Sequence, residues 1–249
     1  MAADPSGGGP SGGLPPSPSR VGAVVPAAGR GERLPGAVPK QFRPLAGIPL
    51  HWHCLYRLAG SGAVGAIVLV VPPGSGEVEL PPGLALPLRV AEGGARRQDS
   101  VENGLRALPP GVEWVVVHDA ARPLLPPGLV EACLAGAVET GASLAALPVS
   151  DTLKRAAPEG FTTGTVPRGG LWLAQTPQVA RRELLEKALR AAREEGREGT
   201  DEAALLEAIG VRVRLVPGDP VNLKVTRPGD LALAEAWLAA LLTEKGTAP

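Results

Sequence analysis

From Val21 onward, short apolar runs rich in β-branched residues alternate with stretches of helical period, and this alternation limits the possible folds more than any other feature. The runs fall at 21–25, 66–71, 88–91, 113–117, 142–148 and 211–216. The helical stretches lie near 49–60, 99–108, 127–140, 180–195, 201–209 and 228–242. Strands that are apolar throughout, rather than at every second position, are buried on both faces. Separated by helices, they predict an α/β fold with a mostly parallel sheet and helices on both faces. Within 228–242, Leu231, Ala234, Trp237, Leu238 and Leu241 recur at helical spacing, which predicts a core position for Trp237.

Two segments stand outside this pattern. In residues 1–20, 14 positions are Gly, Pro or Ser, too little apolar surface to offset the entropy of ordering, so a disordered tail is expected. That segment has no apolar stretch of the kind a signal peptide carries. Residues 150–178 are turn-rich with short polar β-like runs, and are expected to form a projecting β-arm rather than core. The expected organisation is a single domain over 21–243 and a short tail over 244–249.

Charge and cysteine usage narrow the function. Lys and Arg number 25 and so do Asp and Glu, with no basic run, which argues against a nucleic-acid binder. No apolar stretch is long enough to span a bilayer. Cys54 and Cys133 are far apart and in no metal-binding spacing, which fits a reducing, cytoplasmic setting and no cysteine-based zinc site.

The motifs cluster where the predicted strands end. After the first strand come Pro26-Ala27-Ala28-Gly29-Arg30-Gly31-Glu32-Arg33-Leu34 and then Pro39-Lys40-Gln41. Leu34 stands where a dinucleotide fingerprint needs its third glycine, and no GK[ST] of a Walker A loop is present. What remains is a loop of small residues through which backbone N–H groups can approach phosphate oxygens. Arg33 and Lys40, seven apart, can place two positive charges on a triphosphate. Glu92-Gly93-Gly94 with Arg97 and Ser100, then Val117-His118-Asp119-Ala120-Ala121-Arg122-Pro123, then Leu223-Lys224-Val225-Thr226 each follow a later strand. In open α/β sheets ligands lie beyond the carboxyl ends of the strands, so four such loops point to one site. His118 is expected to bond backbone rather than to titrate in catalysis. His51 and His53, two apart on one helix, are not expected to share a metal.

Taken in order, PAAGxGxRL, PKQ, GG…R…S, VHDAARP, DTxK, LWxAQTPQ, TDEA and NxKVTRPxDLxLAE resemble the 2-C-methyl-D-erythritol 4-phosphate cytidylyltransferases from about Val21 to Leu242. The first motif alone would indicate only the wider nucleotidyltransferase superfamily. The resemblance implies a Rossmann-like sheet and transfer of CMP from CTP to methylerythritol phosphate with release of pyrophosphate. It implies Mg²⁺, or another divalent cation, held mainly by the CTP phosphates rather than by protein ligands. It also implies a homodimer clasped through the β-arm.

Carried over residue by residue, the resemblance assigns Arg33 and Lys40 to charge stabilisation at the α-phosphorus. Arg168 and Lys224 would aim the attacking phosphate. Ala27, Ala28, Gly29, Gly94, Ser100, Asp119 and Ala120 would line the nucleotide. Asp119, Arg122, Thr152, Arg168, Thr176, Thr200 and Lys224 would hold methylerythritol phosphate, with Thr152 and Arg168 reaching the partner's site. Ala95 stands where relatives often carry an acid, so a nucleotide contact is not expected there. No general base is needed, because the nucleophile is a phosphate monoester that is mostly dianionic at neutral pH. A cytidylyltransferase for another polyol phosphate, such as ribitol 5-phosphate, would keep Arg33, Lys40 and Lys224. A hexose-1-phosphate nucleotidyltransferase would lack the DTxK arm, and a non-catalytic nucleotide binder should have lost a phosphate-handling cation.

Overall fold

The computed structural model describes residues 15–29 and 39–244. Its centre is a seven-stranded sheet of β1 (Val21–Pro26), β4 (Ala66–Val71), β5 (Leu88–Glu92), β6 (Trp114–Val117), β7 (Ala142–Pro148), β10 (Trp172–Arg181) and β11 (Arg214–Pro217). The spatial order is β11-β7-β10-β6-β1-β4-β5; β10 runs antiparallel to both its neighbours, and the other pairs are parallel. Two small hairpins complete the described strands: β2 (Pro44–Leu45) with β3 (Ile48–Pro49), and β8 (Leu153–Ala156) with β9 (Thr162–Val166).

The apolar strands are buried on both faces because helices cover both. Val21, Ala23, Val25, Ile67, Leu69 and Val71 point to one side, against α1 (Leu50–Gly60) and α3 (Leu129–Thr140). Val24, Val68, Val70, Val115 and Val117 point to the other, against α2 (Arg97–Ala107), α4 (Arg182–Glu194) and α5 (Glu202–Ala208). The period of two within each strand thus divides one apolar run between two cores. Gly22 marks a close approach: a Cβ there would lie 2.6 Å from Leu108 Cδ2. The last helix, α6 (Pro228–Glu244), packs Ala234 and Leu238 with Leu45, Leu50, Leu124 and Val225 in a third cluster.

Three expectations change. The arm expected over 150–178 is shorter. Its exposed part runs to Ala174 and contains the β8–β9 hairpin, whereas β10 then enters the middle of the sheet with residues Gln175 to Ala180 buried. Gln175, Thr176, Pro177 and Gln178 make β10 look like a turn in sequence. In the fold, Gln178 donates to Asp201 and accepts from the Ala203 amide, and Gln175 bonds both backbone groups of Asp219. A polar strand can be central when its side chains find such partners. Second, the strand expected from 211 begins at Arg214. Gly210, with φ +82°, ends α5 in the left-handed conformation, and the Val211 amide closes onto Leu206 O before the chain re-enters the sheet. Third, Trp237 is 38% exposed rather than core, because the buried stripe of α6 runs through Ala234 and Leu238.

Candidate active site

The strand ends carry their loops into one continuous rim. The Ala27 amide donates to Val70 O, Gly93 N to Val71 O, Ala120 N to Pro26 O, and Val225 N to Ala121 O. These bonds place the small-residue loop after β1, the Gly-Gly turn after β5, the Asp119 loop after β6 and the Lys224 segment side by side. Of the first motif, Ala27 is buried, Ala28 half-buried and Gly29 exposed at the cleft. Arg33, and with it Arg30 to Leu34, lies outside the described residues.

Gln41 ties the β1 loop to the segment that carries Lys40. Its buried amide Nε2 donates to the Ala27 carbonyl and, at 3.2 Å, to Gly29 O. Gln41 O accepts from His51 Nδ1 at 3.0 Å, and His53 Nε2 donates to Leu45 O at 2.8 Å. The two histidines of α1 thus hold backbone on either side of Phe42 and Arg43. Lys40 Nζ reaches Val225 O at 3.0 Å, which brings it to the Lys224 side of the rim. Across the cleft, Gly94 N donates to Ser100 Oγ at 3.1 Å, and Ser100 Oγ donates to Arg96 O. A Cβ on Gly93 would lie 2.3 Å from Ala28 Cβ, so the two loops touch only because that position is glycine.

Asp119 is the electrostatic centre. Its Oδ1 accepts from Arg97 at 3.1 Å, its Oδ2 pairs with Lys224 Nζ at 2.7 Å, and Arg122 Nε lies 4.0 Å away. Burial alone would raise its carboxyl, but Arg97, Lys224 and Arg122 together hold it far below the usual carboxylate range. Arg97 also grips Glu202 with two bonds of 2.6 and 3.0 Å. Glu202 is 2% exposed and sits in the first turn of α5, whose N-cap Asp201 accepts from Ala204 N.

Behind Asp119 runs a satisfied chain of neutral bonds. The Asp119 amide donates to Thr176 Oγ1 at 3.1 Å, and Thr176 Oγ1 lies 3.0 Å from His118 Nδ1. His118 Nε2 lies 3.2 Å from Arg122 O, a carbonyl that can only accept. The ring is therefore neutral with its proton on Nε2, and Nδ1 accepts from Thr176. Complete burial lowers the His118 pKa to about 4. An imidazole NMR titration should give a midpoint near about 4 for His118 instead of the ordinary 6.5. The unfolded chain takes up that proton near 6.5 and the folded chain does not, so stability falls as pH drops through this window. A midpoint near 6.5 would mean that the ring is not locked in this chain of bonds.

Arg122, expected to face the substrate, lies beside Asp119 and also holds the Lys224 segment. It is 8% exposed, and its two terminal nitrogens donate to Asn222 O at 2.6 Å and Ala174 O at 3.4 Å. Asn222 Nδ2 in turn donates to Thr176 O at 2.7 Å. Beyond Lys224, Asp230 Oδ2 accepts from Thr226 N, Thr226 Oγ1 and Arg227 N, which pins the turn into α6.

The expected site residues therefore divide. The rim gathers Ala27, Ala28, Gly29, Lys40, Gly94, Ser100, Asp119, Ala120 and Lys224, with Thr176 buried directly behind Asp119. Thr152 and Arg168 do not join it: both are exposed beside the β8–β9 hairpin, and Arg168 donates to Ser150 O. Thr200 is exposed on the loop just before Asp201. The motifs by themselves assign no role to Gln41, Arg97, Asn222 or Glu202, although each lies inside one. Arg97 and Glu202 share one sign, a charged residue beside a predicted helix start; Gln41 and Asn222 carry none beyond their place in a motif.

The match to known proteins is extensive. The model of the 2-C-methyl-D-erythritol 4-phosphate cytidylyltransferase family (IspD) covers residues 21–240. The enzyme of that name from Pelotomaculum thermopropionicum is 44% identical over 226 residues, 89% of this chain and 95% of the relative. The one from Ralstonia nicotianae is 48% identical over 232 residues, 87% of this chain and 91% of the relative. The crystal structure of the Thermus thermophilus enzyme superposes with a TM-score of 0.74 at 38% identity, covering 87% of this chain and 98% of that one. With its strand-end rim, its Asp119 charge cluster and a match along nearly the whole α/β domain, the chain belongs to the 2-C-methyl-D-erythritol 4-phosphate cytidylyltransferase family.

Proposed function

We propose that this chain transfers CMP from CTP to 2-C-methyl-D-erythritol 4-phosphate, forming 4-diphosphocytidyl-2-C-methyl-D-erythritol and pyrophosphate. The observation that carries the reading is the meeting of Lys40, Lys224 and Asp119 at the rim beside the small-residue loop after β1. Two anions must be brought together in line, and lysines converging from two segments offset their repulsion. Lys40, with Arg33, stabilises the charge that builds on the α-phosphorus. Lys224, aimed by Asp119, orients the attacking phosphate dianion. The P–O bond forms as the bond to pyrophosphate breaks, and no proton has to be removed.

Mg²⁺, when bound, supplies further neutralisation of the triphosphate. The rim offers backbone amides and lysines, and Asp119 is already engaged by Arg97 and Lys224. Such a donor set suits an ion whose ligands are mostly phosphate oxygens and water. No helix among the described residues is long and apolar enough to cross a membrane. A cytoplasmic, reducing setting suits the free buried Cys54 and Cys133.

The β8–β9 hairpin supports a homodimer in which Thr152 and Arg168 act in the partner's site. Phe161 at its tip is 76% exposed, and Leu173 at the start of β10 is 55% exposed, apolar surface that a second subunit would cover. On this reading, Arg168→Ala and Lys224→Ala are each nearly inactive, yet the two proteins mixed after dissociation regain activity. Their hybrid holds one intact composite site. No recovery in a mixture shown by native mass spectrometry to contain hybrids would remove Arg168 from the partner's site.

The function is tested by pyrophosphate release with CTP, Mg²⁺ and 2-C-methyl-D-erythritol 4-phosphate, with ribitol 5-phosphate in parallel. Fast release with the first acceptor alone is expected. Release with ribitol 5-phosphate alone would keep the chemistry and overturn the acceptor.

A further inference from the structure

We propose that Glu202 is a positioning residue that acts through Arg97 on Asp119, and so sets the affinity for the acceptor phosphate rather than for CTP. The inference rests on the cytidylyltransferase reading above. Glu202 is a buried carboxylate that the proposed chemistry does not touch, in a helix on the far side of Arg97 from Asp119. It takes the Nη1–Nη2 edge of the guanidinium with two bonds, and Nη2 also makes the one contact with Asp119 Oδ1. Oδ2 of Asp119 remains for Lys224.

The charges explain why the order of contacts matters. Around Asp119 stand Arg97, Arg122 and Lys224, and Glu202 is the second anion of the group. With Glu202 charged, most of the pull on Arg97 is directed away from the cleft. Without that charge, Asp119 is the remaining anion for three cations, and Arg97 competes with Lys224 for its two oxygens. A fork that can take both oxygens displaces a point charge that needs one. Lys224 then loses its orientation at the place where the acceptor phosphate binds. The nucleotide loop after β1 is held separately, by Gln41 and by the strand-end amides, so CTP binding is spared.

The test is steady-state kinetics of the full-length protein with each substrate varied in turn. Glu202→Gln preserves shape and one hydrogen-bond acceptor for Arg97 but removes the charge. It should raise KM for methylerythritol phosphate about tenfold while KM for CTP stays within about twofold, a coupling in the range of buried charge networks. Arg97→Lys keeps a positive charge but lacks the fork that could take both oxygens of Asp119 from Lys224. The pair Arg97→Lys with Glu202→Gln should be no worse than Arg97→Lys alone, because Glu202 acts only through Arg97. Unchanged kinetics in Glu202→Gln, equal rises in both KM values, or additive losses in the double variant would each overturn the proposal. If Glu202→Gln does not fold, Glu202→Asp, whose shorter carboxylate loosens the two bonds to Arg97, decides on the same readout, with a smaller but still selective rise expected. Wild-type turnover with methylerythritol phosphate is measured first, so a failure of the underlying reading is seen separately from a failure of the relay.

Discussion

Lys40→Ala lowers kcat about 100–1,000-fold, the loss that follows removal of one donor aimed at transition-state charge. Lys40 is half-buried and comes from a segment fastened at three points: Gln41 Nε2 on the Ala27 and Gly29 carbonyls, His51 on Gln41 O, and Lys40 Nζ itself on Val225 O. A lysine held this way has less side-chain freedom to lose when the triphosphate arrives. Its effect should therefore fall on kcat more than on KM for CTP, because charge grows at the α-phosphorus only as the bond to pyrophosphate breaks. Lys40→Arg keeps the charge but not the size, and should recover only part of the loss. Pre-steady-state mixing with CTP and methylerythritol phosphate checks this directly. Turnover near wild type in Lys40→Ala would remove Lys40 from the chemical step.

Asp119→Asn should destabilise the fold and silence the site together. Its side chain is 10% exposed and sits among Arg97, Arg122 and Lys224, so its neutral replacement leaves the buried Arg122 without its counter-ion and Arg97 with Glu202 alone. Breaking a buried pair from one side costs about 3–5 kcal/mol. For a domain of this size that lowers Tm by about 6–20 °C. Turnover should fall about 100-fold or more, since Lys224 loses the group that orients it. The sign of the pH dependence follows from the depressed carboxyl. The unfolded chain protonates Asp119 near its ordinary value of about 3.9, while the folded chain does not. The wild type therefore holds this stabilisation above that pH and loses it progressively below, and Asp119→Asn lacks that part of the acid slope. Calorimetry of both proteins at neutral pH and at pH about 3 separates the two. Added pyrophosphate should restore more of Tm in Asp119→Asn than it adds to the wild type, because a bound anion returns the missing charge. Equal Tm values at neutral pH would show that the cluster does not hold this end of the sheet together.

The apolar strands are plain in sequence because burial on both faces leaves a mark at every position. VGAVV and AIVLVV admit few other readings, and the structure returns Ala66–Val71 with the expected ends. The Trp172–Arg181 strand leaves no such mark. Its middle is Gln-Thr-Pro-Gln, which is turn chemistry by local preference. It becomes the strand between β6 and β7 because Asp201, Ala203, Asp219 and Asn222, all more than twenty residues away, accept or donate where water would otherwise be needed. Local propensity cannot anticipate a partner supplied by another loop.

The site divides the same way. Residue types and their order along the chain mark Lys40, Asp119 and Lys224 as charges at strand ends, since a parallel sheet brings successive carboxyl ends to one edge whatever the loops do. That much is a property of the sequence alone. Which charge touches which is not, because an ion pair is decided within a few ångströms by loop paths and helix ends. Arg122 is marked by its motif only as a charge near Asp119; that it also fastens the carbonyls of Asn222 and Ala174 is decided by three-dimensional packing. Glu202 looks like an ordinary first-turn acid of a helix; only the docking of α5 behind Arg97 makes it part of the cleft's charge balance. Periodicity and strand-end chemistry act along the chain and can be read there, whereas the pairing of buried polar groups exists only once separate segments have met.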